Sequence, residues 1–439
     1  MKGNVTPIFS LISAVSTAML CIGMACAVKA QSLESVQMKR PDQTFSPDIQ
    51  SVQLNRKGTT LGDPVIIVSD GIELICSFDD LNAGVKDYQY TFVHCDPWWQ
   101  PTEGLSREDY LDSYYMEEYI RSYESSYNTL TPYIHYWFAF PSESIKFRLS
   151  GNYLLKVYED DPELPVFTRG FMVIEQEVNI EGRVAKSANP ALRPEVQQLL
   201  FQVNLGNKHY EDPYRNMEVV VSQHDRWDNE IWGKAPYMIR NNTMHFDQEG
   251  MYIFKGHNEF RFLDLKSLRY LPQKVAEISV SEGTYYVEVN DREPGKFLSY
   301  QYREDINGKY LILSEDARDS DMESEYMNIQ LYLPYDKPIA GASLYVTGSF
   351  CNWQYLEQNK AIYSPRRGGY LVDLFFKQGY YNYTWAAVEL GNLPADATFI
   401  DGSFADVQNL YTVRIYYKNP GDYHYRLIGR QVFNSANNF

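Results

Sequence analysis

Over residues 150–173, SGNYLLKVYEDDPELPVFTRGFMV, large apolar residues recur at every second position on either side of an acidic turn. Gly151 opens a first strand whose Tyr153, Leu155 and Val157 share a face. After an acidic, proline-bearing turn at 160–165, Phe167, Arg169, Phe171 and Val173 alternate in the same way. A two-residue period bounded by Gly, Asp and Pro predicts a half-buried hairpin. The opening Gly-x-Tyr returns at Gly283-Thr284-Tyr285 and at Gly421-Asp422-Tyr423, each followed by alternating apolar residues. β-Sandwiches often set a tyrosine at the start of a late strand, its hydroxyl bound back to nearby backbone. The three occurrences therefore predict three sandwiches, each marked near its C-terminal end.

The same alternation predicts strands at 64–69, 72–78, 88–94 and 133–140, a first sandwich over residues 47–176. Strands at 178–184, 199–204, 217–223 and 283–289, with alternation at 256–268, predict a second over 177–291. Those at 327–333, 344–350, 370–376, 381–387, 412–417 and 423–428 predict a third over 296–439. The expected fold class is all-β, three immunoglobulin-like (early-set-like) β-sandwiches in tandem. Two stretches interrupt the pattern. Residues 96–101 form a proline-bracketed loop holding Trp98 and Trp99. In 105–131, Tyr115, Tyr119, Tyr123 and Tyr127 recur every four residues, a spacing that fits one face of a short helix or an ordered insertion. Residues 31–46 are polar and read as loose.

A chain of 439 residues exceeds one core and suits about three domains. Residues 1–30 read as an export signal: Lys2, a diluted apolar run, then Val28-Lys29-Ala30 as a cleavage site. Lipidation at Cys26 is the weaker alternative, because Gly23 stands where such signals carry Leu. Cleavage after about Ala30 removes Lys2 and Lys29 and no acid, taking the formal charge from −17 to −19. So acidic a chain repels phosphate backbones and argues against a nucleic-acid partner. No later apolar run reaches the ~18 residues of a membrane helix. Cys76, Cys95 and Cys351 remain, too few for a disulfide scaffold. The 37 tyrosines suit both strands and interfaces.

The catalytic screen gives no nucleophile elbow, no His-Glu-x-x-His, no phosphate loop and no Cys-x-x-Cys. No two of the seven histidines stand at i, i+2 or i, i+4, so no local metal pair is present. The six acids of 315–325 miss the glycine and glutamate of a calcium loop and read as a solvated acidic loop. The expectation is a protein without catalytic, cofactor or metal residues. Its candidate partner contacts are the aromatic residues Trp98, Trp99, Tyr119 and Tyr123. The competing reading is that they roof the first core.

Residues 344–353 (LYVTGSFCNW) and 368–385 (GGYLVDLFFKQGYYNYTW) resemble the early-set sandwiches of glycogen-binding modules, with their Gly-Ser-Phe-x-x-Trp turn before a Gly-x-Tyr strand. That likeness implies a sandwich there. It also supplies an alternative function, an exported glycan-binding protein with Trp353 and Trp385 as candidate aromatics. A broader likeness spans the first two units in order: Cys76-Ser77-Phe78-Asp79-Asp80-Leu81, YQYTFVHC at 88–95, NTLTPYIHY at 128–136, the 150–173 hairpin, and GHNEFRFLDLKSL at 256–268. In these the chain resembles the plug protein family of the type IX secretion system of Bacteroidota. The resemblance implies a periplasmic, non-enzymatic protein of an outer-membrane complex. Such a protein binds and occludes the periplasmic opening of a large outer-membrane β-barrel translocon, as a monomer within a hetero-complex. It implies no membrane insertion and carries over no contact residue.

Overall fold

A computed structural model describes residues 41–82, 84–113, 118–389 and 393–438 of the protein. The expected leader, Cys26 and Tyr115 lie outside these residues. The fold is all-β, built around three large hydrophobic clusters among the described residues.

The first cluster lies between two sheets. One is four-stranded, in the order Ile49–Arg56, Leu74–Asp80, Ile134–Phe140, Ser122–Ser125. The other runs Gln43–Thr44, Phe167–Ile174, Gly151–Tyr158, Gln89–Cys95, Glu118–Tyr119, with Val65–Ile67 parallel to Phe167–Ile174. The hairpin read from 150–173 is present, with Gly151 opposite Val173. Its inward residues Tyr153, Phe167 and Phe171 join Phe78, Phe92 and Phe140 in an aromatic core. The Tyr153 hydroxyl donates to the Leu149 carbonyl at 2.7 Å, the expected backward bond. Gly151 has a φ of +142°, and a Cβ there would meet His94 Nε2 at 2.6 Å. Residues 43–44, read as part of a loose segment, are instead an edge strand.

The second cluster corrects the tandem reading. Asn179–Lys186, Val196–Asn204, Thr243–His245 and Met238–Arg240 make one face, with Ile253–Lys255 also on Val196–Asn204. The opposing sheet is Met217–Gln223, Leu410–Tyr417, Arg426–Asn434. Its last two strands were assigned by sequence order to the third sandwich. They pack Tyr411, Val413, Ile415 and Ile428 against Leu199, Phe201 and Val203. The third unit is thus inserted into the second, and the boundaries 177–291 and 296–439 do not follow the sheets.

The third cluster is wrapped by one nine-stranded sheet. Its path runs Arg261–Asp264, Gly379–Glu389, Ala342–Thr347, Lys360–Ser364, Gly369–Lys377, Tyr326–Pro334, Thr284–Asn290, Val275–Ser281, with Tyr310–Ile312 beside Gly379–Glu389. Residues 261–264 and 284–290, expected in the second unit, belong here. The Gly-x-Tyr signal fails at two of its three places. Gly283 sits in a hairpin turn with Tyr285 half-buried, and Tyr423 is 69 % exposed. The matching corner is at Gly379-Tyr380-Tyr381, where the Tyr381 hydroxyl donates to Lys377 O at 2.6 Å. Trp385 is fully buried and donates to Asp291 Oδ2 at 2.8 Å, and Trp353 is 7 % exposed beneath the Arg226 guanidinium, 4.8 Å away. Neither indole stands on the outer surface as a platform for a sugar, and the glycan reading is not favoured.

Candidate interaction site

The four aromatic candidates separate into two places. Trp98 and Trp99 follow the strand Gln89–Cys95 in a turn pinned by Asp96, whose Oδ1 accepts from the backbone N–H of Trp98 and of Gln100 at 2.9 Å each. Trp98 stacks on Trp232 of the second unit (ring centroids 5.8 Å apart, planes at 20°) and meets the edge of Tyr425. Trp99, half-buried, packs with Val65, Met172, Val220, Tyr416 and Leu427 between the first and second units. Gly170 leaves room for it: a Cβ would meet Trp99 at 2.8 Å and Pro41 at 2.7 Å. Both indoles join the units of the chain to each other.

Tyr119 and Tyr123 lie at the other end of Gln89–Cys95. Tyr119 is opposite Gln89, roughly 20 Å from the tryptophan turn by strand rise. The segment forms strands Glu118–Tyr119 and Ser122–Ser125, not the helix that the four-residue spacing favoured. These strands close one side of both sheets of the first unit, and every residue of Ser122–Ser125 is exposed. Tyr119 (49 %), Tyr123 (46 %), Tyr127 (73 %) and Leu130 (44 %) share this edge. Tyr127 and Leu130 were absent from the sequence-derived set, although Tyr127 continues the four-residue series.

The edge is fixed from behind by the third unit. The backbone N–H of Tyr127 donates to Met322 O at 2.9 Å, and that of Leu130 to the Glu325 carboxylate at 2.9 and 3.0 Å. Burial pushes the Glu325 carboxyl up, and the amides of Leu130 and Thr131 counter it. The acidic stretch 315–325 is therefore not a simple solvated loop, since Met322, Ser324 and Glu325 are buried. Beneath it, Asp79 of the first unit is fully buried. His135 Nδ1 lies 2.6 Å from its Oδ1, while Tyr326 Oη and Lys377 Nζ reach its Oδ2 at 2.7 Å each. Burial opposes ionisation of Asp79, yet the Lys377 ammonium and the His135 hydrogen bond hold its carboxyl below the usual range. Lys377 also donates to Asp321 O at 2.7 Å and faces the Tyr133 ring at 4.1 Å.

Further polar joints tie the remaining boundaries. Lys309 of the third unit donates to Leu61 O and Asp63 in the first, and Asp63 also binds Arg430 of the second. Asp228 accepts a bidentate pair from Arg226 and a hydrogen bond from Tyr355 of the third unit. Tyr416 donates to Asn152 Oδ1 at 2.9 Å. The Lys309–Asp63 joint borders a cavity of about 260 Å³ lined also by Trp99, Arg169, His224, Tyr310 and Trp353. Of these ion pairs, Lys377–Asp79 is both fully buried and shared between two units, and a shift that parts it without admitting water leaves a buried charge unpaired.

Burial pushes the thiols of Cys76 and Cys95 up to about 12, far from thiolate reactivity. Burial pulls His94 and His224 down to about 4, so both are neutral at pH 7. Among the described residues, no group of three His, Cys, Asp or Glu could hold a metal ion, and no helix is long and apolar enough to cross a membrane.

Residues 49–175 match the family model described as the type 9 secretion system plug protein 1st domain. The chain is similar to a solved structure of a hypothetical protein from Parabacteroides merdae. The TM-score is 0.86 at 29% sequence identity, covering 90% of this chain and 98% of that one. None of the curated proteins matches the chain.

Proposed function

We infer that this chain, which through residues 49–175 belongs to the type IX secretion system plug family, acts in type IX protein secretion as a non-enzymatic blocking protein. In this reading it is exported, its leader removed after about Ala30, and it works in the periplasm at the outer membrane. There it binds and occludes the periplasmic opening of the large outer-membrane β-barrel translocon. The match over residues 49–175 carries the reading.

The mechanics suit it. A body that blocks a wide aqueous pore must resist deformation, and the buried Lys377–Asp79 pair, the part-buried contacts of Asp63 and the Tyr355–Asp228 hydrogen bond tie the units together. Such a body also needs broad contact surface, which tyrosine supplies at low side-chain entropy cost. The contact face in this proposal is the edge of Tyr119, Tyr123 and Tyr127. Trp98 and Trp99 support it indirectly, by fixing the first unit to the second. The test is affinity purification of the tagged chain from gently solubilised envelope, followed by a dye-leak assay on cells lacking it. Recovery of one very large barrel, with leakage restored to normal by the native chain, supports the reading. Recovery of no barrel sinks it.

A further inference from the structure

Residues 294–303, PGKFLSYQYR, carry two cations, four large apolar or aromatic side chains and no acid, in a chain of formal charge −17. They form a loop of the third unit where it joins the second. Phe297 is 93 % exposed, Leu298 63 % and Tyr302 55 %. Single exposed apolar residues are ordinary, but three within six residues form a patch of the kind that marks interaction sites.

The loop is held firmly. The backbone N–H of Gly295 donates to Asp401 Oδ1 at 3.1 Å, that of Lys296 to Ile400 O at 3.1 Å, and that of Leu298 to Gly295 O at 2.9 Å. Asp401 is itself clamped by the buried Arg261 guanidinium, with both contacts at 2.7 Å. Lys296 Nζ lies 5.3 Å from the Phe399 ring centroid. On the far side, the Tyr300 hydroxyl donates to Glu259 and its ring lies 5.8 Å from that of Phe404. Asp305 then receives the Phe260 N–H at 2.8 Å. An apolar tip already fixed in place loses little entropy on docking.

We propose that this tip is a docking anchor: Phe297 and Leu298 seat in an apolar, carboxylate-rimmed pocket on the translocon barrel, with Lys296 and Arg303 facing the rim. The proposal rests on the reading that the chain docks on that barrel, and adds a second contact to the tyrosine edge. Shape and charge favour a protein pocket over a lipid surface. The tip is convex and local, as a buried aromatic hot spot requires. The acidic body is repelled by the extended charge of an anionic bilayer, whereas a small carboxylate rim meets only the acid-free tip. Two side chains in a bilayer would also give less than the single acyl chain that by itself binds only marginally.

The test titrates residues 31–439, native and Phe297→Ala/Leu298→Ala, against the purified barrel in detergent, with melting curves alongside. An affinity loss of ~10-fold or more with unchanged melting supports the anchor. A Lys296→Glu/Arg303→Glu variant carries the same test through charge, with a loss that shrinks as salt rises. Equal affinity of native chain and variants overturns the anchor and leaves the functional reading standing. No binding by the native chain overturns both. An environment-sensitive dye on a Ser299→Cys variant reports on lipid. A blue shift on phosphatidylethanolamine–phosphatidylglycerol vesicles lacking the barrel overturns the pocket in favour of a membrane surface.

Discussion

Asp79→Asn is nearly isosteric and removes one charge from the joint between the first and third units. In the native chain Asp79 is fully buried and accepts contacts of 2.6, 2.7 and 2.7 Å from His135, Tyr326 and Lys377. The variant leaves the Lys377 ammonium, 1 % exposed, with the Asp321 carbonyl and the Tyr133 ring but no anion. Breaking a buried pair by removing one partner costs about 3–5 kcal/mol, because the survivor is stranded. Removing both charges with Asp79→Asn/Lys377→Met should cost clearly less than the two single changes added together. Urea unfolding of the four proteins measures this cycle, with an engineered fluorophore in each of the first and third units. The first unit should separate at lower urea than the third in the single variants only. A single-variant loss under about 1 kcal/mol, or additivity within ~0.5 kcal/mol, would refute the stranded-charge argument.

Acid should act on the same joint. The Asp79 pKa is depressed in the fold, so its contribution is present above the unfolded value and lost as pH falls through the lower native one. Melting followed from pH 5 downward should show the first and third units uncoupling, and Asp79→Asn should abolish that step. Glu259 behaves oppositely: burial lifts it to about 7, so the stability it contributes is complete below the unfolded carboxyl range and lost as pH rises through about 7. Glu259→Gln should flatten the melting profile between about pH 4.5 and 7. Gly170→Ala should destabilise by about 1–3 kcal/mol, since its Cβ meets Pro41 and Trp99, with a change in tryptophan emission as Trp99 shifts. Tyr153→Phe should cost about 1 kcal/mol in urea unfolding by unpairing the Leu149 carbonyl.

What the sequence made legible is what depends on near neighbours. The 150–173 hairpin was readable because Tyr153, Leu155 and Val157, then Phe167, Phe171 and Val173, recur at every second position and its turn is marked by Asp and Pro, although all of Phe167–Ile174 is buried and not the expected half. The affiliation of strands 410–417 and 426–434 was not, because they match third-unit strands in composition and differ only in partner. Pairing of Met217 with Tyr417 leaves no local trace. The tyrosine series misled for a numerical reason: a step of four keeps one face of a helix and, being even, one face of a strand too. Trp98 and Trp99 were found as an unusual pair. An indole that covers a neighbouring unit and one that awaits a partner have the same sequence signature.

The insertion of the third unit sets a schedule for synthesis. Residues 179–255 are made before the third unit, yet the strands at 410–434 that close over them come only after the strands of that unit have been made. Until then Leu199, Phe201 and Val203 have only half a roof, and apolar surface left open in this way is prone to aggregation. A stop codon near residue 409 would therefore spare the sheet completed just before it and ruin the one begun two hundred residues earlier. Damage to the tail is felt in the middle of the molecule.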